Sequence, residues 1–112
     1  MNELILKLRE FAKERDWEQF HSPKNLSMAL SVEVAEILEI FQWLTEDESR
    51  NLDHKKLEKV KEEIADVMIF LTMLSDKFGI DPIAAAKEKI EINKGKYPVK
   101  LSKGKSEKYT EL

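Results

Sequence analysis

Two pairs of carboxylates stand where a helix should be apolar, Glu33-x-x-Glu36 and Glu63-x-x-Asp66. Leu30, Ala29 and Ile37 are the helical neighbours of Glu33, Val32 and Ile40 those of Glu36, and Trp43 lies a turn further on. Val60 and Val67 flank Glu63, and Phe70 follows both acids on the same edge. A spacing of three sets the two members of each pair on one side of their helix. Burying an ionised carboxylate without a partner costs several kcal/mol, a large share of the roughly 5–15 kcal/mol that holds a domain together. Something cationic must compensate, and no basic residue lies within a turn of Glu33 or Glu36. Oxygen ligands without Cys or paired His suit a hard ion, with Mg²⁺ the natural choice and Mn²⁺ next. Glu39 continues the row as a further ligand, a base for water or a bystander. Glu58, Glu62, Glu88 and Glu91 sit among lysines and read as a solvated face.

The apolar periodicity says what must hold these acids. Leu4, Ile5, Leu8, Phe11 and Ala12 mark a first helix to about Arg15, and the mixed stretch Trp17–Asn25, with its proline, reads as an ordered loop. A second, heavily buried helix spans Leu26–Leu44, and Thr45-x-x-Glu48 fits a capping box for a short helical turn. Leu57, Val60, Ile64, Val67, Leu71 and Leu74 give a third helix from about Asp53 to Phe78, ended by Gly79. Asp81-Pro82 starts a fourth, with Ile83, Ala86 and Ile90 on its inner face, and Tyr97-Pro98 stops it. The fold expected is an all-α antiparallel helical bundle of about four main helices. In an antiparallel hairpin of the second and third helices, Glu36 lies eight residues before Leu44 and Glu63 ten after Asp53. At about 1.5 Å rise per residue the two pairs then sit within roughly 3 Å of one height.

Other residues point to a charged, planar ligand. Trp17 and Trp43 lie beside polar or acidic residues and offer surfaces for stacking. Lys24-Asn25 and the set Lys89, Asn93, Lys96 and Tyr97 supply ammoniums and amides for phosphates. Metal, aromatics and amines converge on a nucleotide more readily than on a sugar or lipid. A di-iron centre needs two Glu-x-x-His pairs, and Glu18-x-x-His21 is the sole one here.

Composition narrows the classes further. The chain has 112 residues, 42% hydrophobic, with 19 basic and 22 acidic side chains and a net charge of -3, which disfavours a nucleic-acid platform working through its bulk field. With no cysteine there is no disulfide framework, thiolate site or cysteine nucleophile. No run approaches a membrane span and no leader peptide is evident, so the cytoplasm is the expected compartment. Residues 1–98 are expected to form one domain, and 99–112, with Lys100, Lys103, Lys105 and Lys108, a basic tail. The second helix is apolar over more of its circumference than one small bundle covers, which calls for a dimer or dimer of dimers.

Five segments in order carry a family resemblance: Phe20-His21-Ser22-Pro23-Lys24-Asn25-Leu26; Ala29-Leu30 with Glu33-x-x-Glu36; Phe41-Gln42-Trp43; Glu63-x-x-Asp66-Val67; and Asn93-x-x-Lys96-Tyr97-Pro98. Together they resemble the MazG-like nucleoside triphosphate pyrophosphohydrolases, in the small single-domain branch that includes the dCTP pyrophosphatases. The resemblance implies an α-helical enzyme that hydrolyses the bond between the α- and β-phosphates, releasing a nucleoside monophosphate and pyrophosphate, from a site built in a dimer or tetramer. It implies Glu33, Glu36, Glu63 and Asp66 as Mg²⁺ ligands, Trp17 and Trp43 as the base pocket, and Lys89 and Asn93 as nucleotide contacts; His21, Lys24, Asn25, Phe70, Lys96 and Tyr97 complete the expected substrate-binding set. Where close relatives often carry Tyr a turn after the second acidic pair, this chain has Phe70, which lacks the hydroxyl contact. The substrate expected is a pyrimidine deoxynucleotide or a modified one, in house-cleaning of the nucleotide pool. The nucleophile is a metal-held hydroxide or a water polarised by Glu36 or Glu39. The competing expectation is a non-catalytic metal-binding helical oligomer or interaction module.

Overall fold

The computed structural model describes residues 2–106, and every regular element among them is helical. Helix α1 (Asn2–Glu14) is left through Asp16, whose φ of 53° lies in the left-handed region. That turn lets Asp16 N donate to Lys13 O at 3.1 Å and Trp17 N to Ala12 O at 2.9 Å, closing the helix end. Gln19 Nε2 donates to both Asp16 O (2.9 Å) and Asp16 Oδ2 (3.2 Å), a local tie that helps aspartate occupy this region. A 3₁₀ turn, Glu18–Phe20, follows.

Helix α2 runs Pro23–Phe41, starting three residues earlier than the loop reading of Trp17–Asn25 allowed and stopping before Leu44. Ser22 Oγ accepts from Asn25 N at 3.1 Å, and Pro23 takes the first turn, where a missing N–H does no harm. The early stop lets the chain bend into α3 (Glu46–Arg50), which has the expected capping box: Glu48 N donates to Thr45 Oγ1 (3.1 Å) and Thr45 N to Glu48 Oε1 (2.8 Å). Helix α4 (His54–Lys77) is capped by Asp53 Oδ1, which accepts from Lys56 N at 2.8 Å, and is followed by Gly79 at φ +65°. Helix α5 (Pro82–Lys96) starts on Asp81 Oδ1, and α6 (Val99–Ser102) forms one turn in the stretch read as a tail. Lys108 lies outside the described residues.

The chain divides into two compact units, one ending at Ile80 and one beginning at Asp81. Within the first, α2 and α4 make the most extensive helix contact and α1 packs on α4. Their arrangement is antiparallel: Ile40 near the end of α2 borders the same cavity as His54 at the start of α4, while His21, just before α2, borders one with Lys77 at the end of α4. Among the described residues Leu26 and Ala12 are the buried apolar side chains, joined by Glu63, Thr72 and Ser75. The α4 stripe expected to be inward is split into two rows. Val60, Val67 and Leu74 are half-buried, whereas Leu57, Ile64 and Leu71, each two turns apart, stay exposed, as do Met28, Val32, Val34 and Leu38 of α2. The apolar surface of these helices is wider than two neighbours can cover. In the second unit Ile83 and Ile90, expected on an inner face, are exposed: a helix of 15 residues and one of 4 offer each other little to bury.

Candidate functional site

The antiparallel α2–α4 pair brings the two acidic motifs to one height. One carboxylate oxygen from each of Glu33, Glu36 and Glu63 lies within 4.8 Å of the others, a set that could hold a metal ion. Glu63 is only 3% exposed, and Oε2 of both Glu33 and Glu63 is buried without a hydrogen-bond partner. Buried acceptors facing one another with no donor cost free energy unless a proton or a cation comes between them. Glu33 responds by holding its proton: burial, then a proton shared with Glu63, then the charges of Glu36, Asp66 and Glu63 push its carboxyl up to about 7. Glu36 is also pushed up, first through the hydrogen bond and charge of Glu63. Glu63 moves the other way, held below the usual carboxylate range chiefly by Lys59.

Asp66 stands one turn beyond Glu63 on α4, half-buried, and its charge is felt at Glu33. Glu39 is exposed and borders a cavity of about 300 Å³ with Glu36, Ile40 and Lys59. Lys59 joins the site as a residue outside the sequence-based set. Its Nζ lies 3.0 Å from Glu63 Oε1, and its charge also reaches Glu62 and Glu36. The signal was present as Lys59-x-x-x-Glu63, an i,i+4 pair.

The residues assigned to the ligand fall in several places. Trp43, just past α2, is 86% exposed. Trp17 is 44% exposed and meets Phe11 edge to face, ring centroids 5.6 Å apart. Neither indole is core. Asn25 is occupied in part by the loop, its Nδ2 donating to Phe20 O at 3.0 Å, and Lys24 is exposed. Phe70 is half-buried on the helix that carries Glu63 and Asp66. His21 borders a cavity of about 400 Å³ that also contacts Leu8, Arg9, Thr72, Asp76 and Lys77, where burial and then the Lys77 charge lower its pKa. At that cavity Arg9 grips Asp76 with two bonds, Nε to Oδ2 at 2.8 Å and Nη2 to Oδ1 at 2.5 Å, a tie between α1 and α4 that the sequence did not disclose. Lys89, Asn93 and Lys96 share one face of α5 by their spacing, and Tyr97 follows as the C-cap of that helix, in the second unit.

A helical scaffold with two ExxE/D-type acidic pairs facing each other defines a class, and the chain belongs to it: residues 28–112 match the model of the MazG-like family. Among individual proteins, the chain is 44% identical over 105 residues to dCTP pyrophosphatase 1 of Homo sapiens and 43% identical to that of Bos taurus, in each case over 92% of this chain. It spans about three fifths (62%) of the length of those relatives. A pyrophosphatase from Archaeoglobus fulgidus DSM 4304 is similar in structure, with a TM-score of 0.82 and 49% identity over 88% of this chain and 92% of that one.

Proposed function

We propose that this protein hydrolyses nucleoside triphosphates to the monophosphate and pyrophosphate in an Mg²⁺-dependent reaction, acting on pyrimidine deoxynucleotides or modified nucleotides to clean the cytoplasmic pool. The observation that carries this is the facing set Glu33, Glu36 and Glu63 with two buried, unpartnered oxygens. Hard oxygen donors at this spacing fit a small divalent cation, which when bound neutralises charge developing on the phosphates. Glu33, Glu36, Glu63 and Asp66 hold it. Glu36 or Glu39 orients and deprotonates the attacking water, Glu39 being the one open to solvent. Trp43 and Trp17 stack on the base, the two indoles coming from different protomers because they stand at opposite ends of α2, a 19-residue helix about 28 Å long; His21, Lys24, Asn25 and Phe70 line its approach, and Lys89, Asn93, Lys96 and Tyr97 reach the nucleotide. Likeness to dCTP pyrophosphatase 1 supports the pyrimidine reading.

Residues 1–98 are assigned to the catalytic domain and 99–112 to a basic tail. The exposed rows on α2 and α4 support a homodimer or dimer of dimers, with sedimentation as a monomer at micromolar concentration as the contrary result. No helix among the described residues is long and apolar enough to cross a membrane. Incubation with Mg²⁺ and a panel of nucleoside triphosphates should release pyrophosphate, with a pyrimidine deoxynucleotide or modified nucleotide preferred. If no nucleotide is turned over, the chain is a non-catalytic metal-binding helical oligomer.

A further inference from the structure

The ion pair between Lys59 and Glu63 is uneven. Glu63 is 3% exposed at its side chain, whereas Lys59 is 55% exposed, and only 3.0 Å separates Nζ from Oε1. The other oxygen, Oε2, is buried and unpartnered, as is Oε2 of Glu33. One carboxylate thus holds a tethered ammonium on Oε1 and leaves in Oε2, which we take as the inner oxygen, a buried acceptor open to a cation. The two oxygens of a carboxylate are about 2.2 Å apart by covalent geometry, so an ion on the inner oxygen lies close to the ammonium, and two such charges repel. The long, solvent-facing stem of Lys59 can carry its charge away, and it borders open cavities toward both Glu39 and His54.

Resting on the reading of this site as a divalent metal centre, we propose that Lys59 is its exchangeable counter-ion: it neutralises Glu63 while the metal is absent and opposes the metal when it binds. Ammonium and metal are then linked reciprocally, each weakening the other's hold on Glu63. A lysine that merely braces the site has the opposite effect, since its loss would disorder the ligands and weaken metal binding.

Isothermal titration of Mn²⁺ into nucleotide-free protein distinguishes these. Lys59→Met should bind Mn²⁺ about fivefold or more tightly than the parent, the upper range for an ion pair open on one side, while Lys56→Met matches the parent. Equal or weaker binding by Lys59→Met overturns the proposal and leaves the metal centre standing. A parent chain that binds neither Mn²⁺ nor Mg²⁺ overturns both. The unmutated protein gives a second measurement, should Lys59→Met fold poorly without metal: saturating Mg²⁺ should speed acetylation of Lys59 relative to Lys56, and an unchanged ratio overturns the proposal.

Discussion

Near the C-terminal end of α4, Asp76 meets Arg9 in a two-bond grip and its pKa is drawn down, first by that hydrogen bond. Thirteen residues earlier, about 20 Å along the same helix, Glu63 faces Glu33 and Glu36, and the pKa of Glu33 is forced up to about 7. Both places gather charge on the packed side of one helix, yet one is satisfied by the chain and the other only in part, Lys59 pairing with Glu63 Oε1 while Oε2 of Glu33 and of Glu63 stay without a partner. The satisfied pair holds α1 against α4. The unsatisfied set stores repulsion that a ligand of opposite charge can relieve, which is the mark of a site rather than of a brace.

The largest effect expected is at the acidic end. Glu33→Gln should lower pyrophosphate release at least about a hundredfold, as loss of a transition-state contact would, and yet melt no lower than the parent in chelator. Full activity in this variant would remove Glu33 from the site. Trp43→Ala comes next, with KM raised about tenfold if its exposed indole stacks on the base. Its melting temperature should barely change, because 86% of the residue is already exposed. A fall in stability with unchanged KM would assign Trp43 to packing.

The two ends should also respond oppositely to pH. Glu33 carries a folded pKa of about 7 against an ordinary 4.5. Its contribution to metal-free stability is therefore complete below pH 4.5 and is lost as pH rises through 7. Asp76, held low, contributes above its ordinary 3.8 and loses that contribution on acidification below it. Melting in chelator from pH 5 to 8 should show stability falling with pH in the parent and a shallower fall in Glu33→Gln; identical slopes would break the contrast. Asp76→Asn should lower the melting temperature by about 2–4 °C, the scale of a partly exposed ion pair, with activity retained. Glu62→Gln should match the parent in both measurements.

How much of this was legible in the sequence depended on whether the signal was local. The acids could be read because they interrupt an apolar period, and the α2–α4 register followed from counting rises. Asp81-Pro82 reads plainly as a helix start, while Ser22-Pro23, the same device, is masked by the aromatics that precede it. Lys59 is not legible as the compensating cation because it stands on α4, four residues before Glu63, and not beside Glu33 and Glu36 on α2. Arg9 and Asp76 are 67 residues apart, and nothing local joins them. The open row Leu57, Ile64 and Leu71 has the spacing of a core stripe, and periodicity cannot say which chain will cover it.

Asp16 sets a trade between ease of folding and aim. A glycine at its φ of 53° would avoid the roughly 1 kcal/mol that a left-handed L-residue carries. It would also give up the Oδ2 acceptor for Gln19, one of the two bonds that tie the 3₁₀ turn to the residue just before Trp17. Asp16→Gly would then give a hardier protein with a looser indole, so selection for thermal tolerance alone would be expected to find it and, if Trp17 stacks on the base as proposed, selection for choosiness among bases to reject it.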